Sequence, residues 1–142
     1  MSLNPEREWA IFFEFPWAEP TLARWPTVHP ERRTGLEFHD GWGHIYEKFC
    51  RNVATLPIDD NFAVVQAKEK FGRLVIYTKG SHDKPWAAQL CQFIDQANIE
   101  SGKTCENCAM PGSLRQSGYV ITLCDICFPK WDLDGARGLG WC

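Results

Sequence analysis

Two Cys-x-x-Cys pairs, Cys105 with Cys108 and Cys124 with Cys127, stand fifteen residues apart near the end of a 142-residue chain. Two residues between thiols let a tight turn aim both sulfurs at one ion. The intervening GSLRQSGYVITL can fold as a short hairpin that returns the second pair to the first. This is the spacing of a structural zinc site, and Cys105, Cys108, Cys124 and Cys127 are the expected ligands of one Zn²⁺. Four thiolates fill a tetrahedral shell, whereas a catalytic zinc keeps a position open for water, so the expected role is structural. Iron uses the same ligands and stays open on spacing alone. Paired disulfides fit a reducing compartment poorly, and a redox Cys-x-x-Cys would sit singly beside a βαβ unit.

Other residues capable of chemistry are thinly placed. In HDGWGH, His39 and His44 lie five apart without the H-E-x-x-H arrangement, and capping by Asp40 beside an exposed His is the plainer reading. The serines lack a G-x-S-x-G context, and no Gly-rich phosphate loop occurs, so no enzyme is expected. Cys50 and Cys91 sit in or beside apolar helical stripes and read as buried, inert thiols.

Charge narrows the partners. The chain carries a formal −3, which disfavours a general nucleic-acid binder. Residues 103–142 pair Lys103, Arg115, Lys130 and Arg137 with Glu106, Asp125, Asp132 and Asp134. With four thiolates and one Zn²⁺ that segment is about −2, a sign that repels phosphate backbones. The one basic concentration surrounds Lys68, Lys70 and Arg73, continued by Lys79 and Lys84, with Phe71 and Tyr77 interleaved. It could track a nucleic-acid strand, but lysines guarding a sheet edge against aggregation are the commoner case. Seven Trp and nine Phe are many for this length. Trp17, Trp25, Trp131 and Trp141 fall outside the predicted helical stripes and are the candidate anchors for a protein partner.

The elements that must position these residues follow from periodicity. Residues 1–38 carry Pro5, Pro16, Pro20, Pro26 and Pro30, so only EREWAIFFEF can make a short helix, and the arm is expected to wrap the rest. Trp42, Ile45, Tyr46, Phe49, Cys50 and Val53 mark one face of a helix beginning near Gly41, with Asp40 as its cap. NFAVVQAK (61–68) and GRLVIYTK (72–79) read as an antiparallel hairpin. Trp86, Leu90, Phe93, Ile94 and Ala97 mark a second helix, ended by Gly102 in a left-handed conformation. The fold class is therefore α+β: two amphipathic helices, a small antiparallel hairpin and a C-terminal zinc ribbon. The division falls between an arm plus core at 1–102 and a ribbon plus tail at 103–142. Neither a signal peptide nor a membrane-spanning run is recognisable, and the expected setting is a cytoplasm.

FEFPW near the start, DGWGHIYEKFC at 40–50, QAKEKFGRLVIY at 66–77 and TCENCAMPGSLRQSGYVITLC at 104–124 together resemble a family of small bacteriophage and prophage proteins of uncharacterised function. Its members often carry Gly after the second cysteine, where Ala109 stands, and close the last pair with His, where Cys127 stands; Cys and His are interchangeable as zinc ligands. The resemblance implies a phage origin and the cytoplasm of a host cell. The expected function is a non-enzymatic zinc-binding protein that docks on a host or phage protein, in the manner of an anti-defence inhibitor. The alternative is a nucleic-acid-binding accessory protein using residues 68–84. The sequence leaves oligomeric state open.

Overall fold

The computed structural model describes residues 3–22 and 35–133; Trp25 and Trp141 lie outside them. Among the described residues the class is α+β, with four α-helices, two separate antiparallel hairpins and a C-terminal cysteine cluster compatible with a zinc ribbon. No helix among the described residues is long and apolar enough to cross a membrane.

Helix α1 (Pro5–Glu14) starts where the Asn4 side chain accepts from the N–H groups of Glu6 and Arg7. Pro5 gives up an N–H that would have had no partner in that first turn, and Phe15 ends the helix ahead of Pro16. It faces the core with Ile11 and is tied to α2 (Gly43–Val53) by Arg7–Glu47 at 2.8 Å and Arg51–Glu14 at 3.1 Å. The α2 stripe is buried throughout, as the periodicity requires, and Tyr46 Oη donates to the Ala18 carbonyl at 2.6 Å. Asp40 does not cap α2. A 3₁₀ turn (Asp40–Trp42) precedes the helix, and the Asp40 carboxylate instead accepts from the Asn4 N–H at 2.6 Å, holding the start of the arm.

The first hairpin, β1 (Ala63–Lys70) and β2 (Arg73–Lys79), turns over Phe71 and Gly72, one residue shorter than the sequence suggests. Its inner face puts Val64, Ala67, Leu74 and Ile76 into the main core. The β1 edge is occupied, and the β2 edge is occupied at Leu74. Along β1, the N–H groups of Thr21, Leu22 and Glu37 donate to the carbonyls of Val64, Val65 and Ala67, and Glu37 accepts from the Glu69 N–H, so the arm does wrap the sheet. Along β2, Ser101 Oγ accepts from the Leu74 N–H at 2.7 Å and Asn98 donates to the Leu74 carbonyl. Those groups come from α3 (Ala87–Ser101), which packs on α2 and β2. Two expectations change here. Gly102 closes α3 at φ −65, an ordinary helical value, because the chain runs on through Lys103 and Thr104 turns. Cys91 is exposed, since it lies one position off the buried Leu90 and the helix turns it outward.

The second hairpin, β3 (Ser113–Ser117) and β4 (Tyr119–Leu123), turns at Gly118 and leads into α4 (Cys127–Leu133).

Candidate metal centre

The four cysteines are brought together by two turns at the open end of the second hairpin. Ala109 N–H donates to the Cys105 carbonyl and Cys105 N–H to the Met110 carbonyl, closing the first turn, with Ala109 at φ 73. That left-handed conformation favours glycine, so Ala109 is held there under strain. In the second turn, Cys127 N–H donates to Cys124 Sγ at 3.3 Å, and Asn107 Nδ2 donates to Cys127 Sγ at 3.2 Å across the site. Burial raises the Cys124 thiol, but hydrogen bonds from the N–H groups of Cys127 and Ile126 and from the Cys108 and Cys105 side chains together outweigh it and hold the pKa below the ordinary value. Cys108 lacks that balance, and burial pushes it up to about 12.

All four sulfurs lie within 4.8 Å of one another. A tetrahedral site with Zn–S bonds of about 2.3 Å places its sulfurs about 3.8 Å apart, and Cys108 and Cys124 stand at 3.7 Å. Four soft donors at this spacing can hold a metal ion and leave its shell without an open position. Behind them lies a small apolar cluster of Ile121, Leu123 and Trp131, with Phe128 at its side. Arg115 clamps the approach to the second pair: it donates to the Leu123 carbonyl, pairs with Asp125 at 2.7 Å and lies over the Phe128 ring at 4.7 Å.

The centre is fastened to the main core by hydrogen bonds from several elements. Trp42 Nε1 donates to the Thr104 carbonyl, Gly41 N–H to the Glu106 carbonyl, and Thr122 Oγ1 to the Gly72 carbonyl at 2.7 Å. Gly41 has no room for a side chain, because a Cβ would collide with the Cys105 carbonyl. Glu106 is fully buried, and its Oε2 accepts from the His39 N–H at 3.2 Å. Burial pushes its carboxyl up to about 8 and pushes the His39 imidazole down to about 4. Glu106 Oε1 and Trp131 Nε1 have no hydrogen-bond partner among the described residues.

The other predicted site residues separate. Trp131 is 7% exposed and meets the His39 ring edge-on at 5.3 Å, which makes it part of the cluster behind the cysteines. Trp17 is half-buried, with its ring against Phe15 and Phe62. Neither is displayed as an anchor, because a Trp off the helical stripes can still be covered by a neighbouring element, a contact that periodicity does not register. Lys68, Lys70 and Arg73 do share one face of the first hairpin. Sequence reasoning missed the burial of Glu106, for which a charged residue inside a Cys-x-x-Cys turn gives no signal. It also missed the exposed pair Trp9 (64%) and Phe13 (81%), one turn apart on the face of α1 away from Ile11, which a helical wheel would have shown. Compared with protein-family models, curated proteins and solved structures, the chain has no significant match.

Proposed function

We propose that this chain is a non-enzymatic, zinc-stabilised protein that works by docking on a protein partner, of phage or host origin as the family resemblance implies. The observation that carries the reading is the four-cysteine cluster, whose sulfur donors suit holding rather than catalysis. The aromatic surface that supports docking is the Trp9–Phe13 pair in place of Trp17 and Trp131. Large rings exposed on a helix are rare away from contact surfaces, and they provide area at low entropic cost. An inhibitory, anti-defence outcome is the form of docking that a phage origin favours.

Two measurements test this. Elemental analysis of protein purified without added metal should find one zinc per chain; iron instead would keep the ligands and change the cofactor, and less than about half an equivalent of either would remove the premise. Affinity capture from nuclease-treated bacterial lysate should recover a protein, and Trp9→Ala with Phe13→Ala should weaken that capture by at least about 2 kcal/mol with the fold intact. Capture unaffected by both substitutions would overturn the α1 surface.

A further inference from the structure

The turn of the first hairpin carries a residue that the turn itself does not want. Phe71 and Gly72 have φ 52 and φ 80, so both central positions of the two-residue loop are left-handed. That geometry favours Asn-Gly, and an aromatic residue there is strained. The Phe71 side chain gains little from the fold in return, being 71% exposed. The turn is nevertheless clamped from both sides: Gly72 N–H donates to Glu69 Oε2 at 2.7 Å, and the Gly72 carbonyl accepts from buried Thr122 Oγ1 at 2.7 Å. A Cβ on Gly72 would collide with Leu114 and Thr122 of the second hairpin. The ring is thus held out rigidly at the junction of the two hairpins.

Around it the charge is one-sided. Lys70 and Arg73 are paired across the strands at the base of the turn, Lys68 is two residues along the same face, and Arg73 lies across Gly102, the residue before exposed Lys103. Lys79 and half-exposed Tyr77 continue that face along β2. Of the acids beside it, Glu69 is occupied by the Gly72 N–H and the Glu37 carboxylate accepts from Gln66 Nε2 at 2.7 Å, and β3–β4 bears no acidic residue. This concentration occurs in a chain of net charge −3. Protection of a bare sheet edge explains only part of it, because the arm covers the β1 edge and Asn98 and Ser101 cover β2 at Leu74, beside Arg73.

We propose that this face binds single-stranded nucleic acid, with one base stacked on Phe71 and the flanking phosphates on Lys68, Lys70 and Arg73. Sugar–phosphate backbones supply the complementary charge, and an isolated flat ring amid cations suits a base, which can stack on any exposed aromatic face. A protein partner would want a contiguous apolar centre, whereas this face offers half-buried Val75 and half-exposed Tyr77 set among Gln66, Lys68, Lys70 and Arg73. The inference concerns a different surface from the α1 pair and stands or falls separately from protein docking.

The test uses zinc-loaded full-length protein and fluorescein-labelled oligo(dT), oligo(U) and a mixed-sequence duplex, read by anisotropy from low to physiological salt. Binding to either single strand should exceed binding to the duplex and weaken linearly with log salt, and the two single-strand arms tell DNA from RNA. Phe71→Asn should raise the melting temperature, since it creates the preferred turn, while weakening binding about tenfold or more. Lys70→Glu with Arg73→Glu should lower both affinity and salt slope; Phe13→Ala should change neither. No binding at low salt, equal binding of the duplex, affinity unchanged in Phe71→Asn, or capture of an acidic protein at this face without oligonucleotide binding would each overturn the proposal.

Discussion

The β1–β2 hairpin lays Val64, Ala67, Leu74 and Ile76 into the main core, and the arm and α3 contact its two edges. The β3–β4 hairpin, five residues a side, has Ile121 and Leu123 to bury, against cysteines and Trp131. An isolated two-stranded hairpin is marginal in water. The first escapes that limit through apolar burial and borrowed hydrogen bonds. The second has less apolar surface for the same solution, and its four clustered cysteines can close its ends around a metal ion. The difference teaches where each region should fail: the first to loss of packing, the second to loss of metal. The link between them is narrow and polar, running through Trp42, Gly41, His39 and Thr122.

The sharpest way to break the contrast is to remove one thiol. Cys105→Ser or Cys127→Ser should abolish metal binding, forfeiting a binding free energy on the order of 10 kcal/mol that the second hairpin uses to fold. Residues 103–128 should then lose protection in hydrogen exchange while β1–β2 keeps much of its own. Unchanged metal content and an unchanged melting temperature in either variant would refute the ligand assignment.

A pH titration probes the link. Glu106 has a pKa raised from 4.5 to about 8, so the folded state holds its proton where the unfolded chain has lost it, and stability falls as pH rises between those values. His39 has the opposite sign. Its pKa is lowered from 6.5 to about 4, so the stability contributed by the neutral ring is present above 6.5 and lost as pH falls toward 4. From pH 6.5 to 8, of these two groups only Glu106 should therefore contribute. Wild type should lose on the order of 1–2 kcal/mol relative to Glu106→Gln over that window, with the metal contribution cancelling in the difference. Parallel stability curves for the two proteins would show that Glu106 is ionised in the fold.

Thr122→Val keeps the shape of β4 and removes the donor to the buried Gly72 carbonyl. It should cost about 1–3 kcal/mol and raise exchange at Gly72 and Arg73 while metal stays bound. Metal loss in this variant would mean that the second hairpin relies on the first for more than attachment. The smallest effect is a gain. Ala109→Gly relieves the left-handed strain in the first cysteine turn and should add about 0.5–1 kcal/mol to the holoprotein, seen as a modest rise in melting temperature. A loss there would show that the unfolded-state entropy of glycine outweighs the strain.

What the sequence determined by itself rests on short-range periodicity and spacing. Trp42 to Val53 repeat at helical intervals, so the buried face of α2 is legible from composition along one element, and the alternation at 63–79 identifies the strands. The cysteine quartet is legible for the same reason, since two-residue gaps fix the ligand turns locally and a hairpin of the right length joins them. Tertiary structure alone decided the contacts between elements. Asp40 caps no helix because Asn4 reaches it across 36 residues. Trp17 and Trp131 are covered by Phe62 and His39, which no window around either Trp includes. Glu106 is buried because Gly41 and His39 close over it from a distant segment. Phe71 stands out because Thr122, fifty residues on, clamps the turn beside it. Burial of a given residue is set by what the rest of the chain places on it, and that information is long-range.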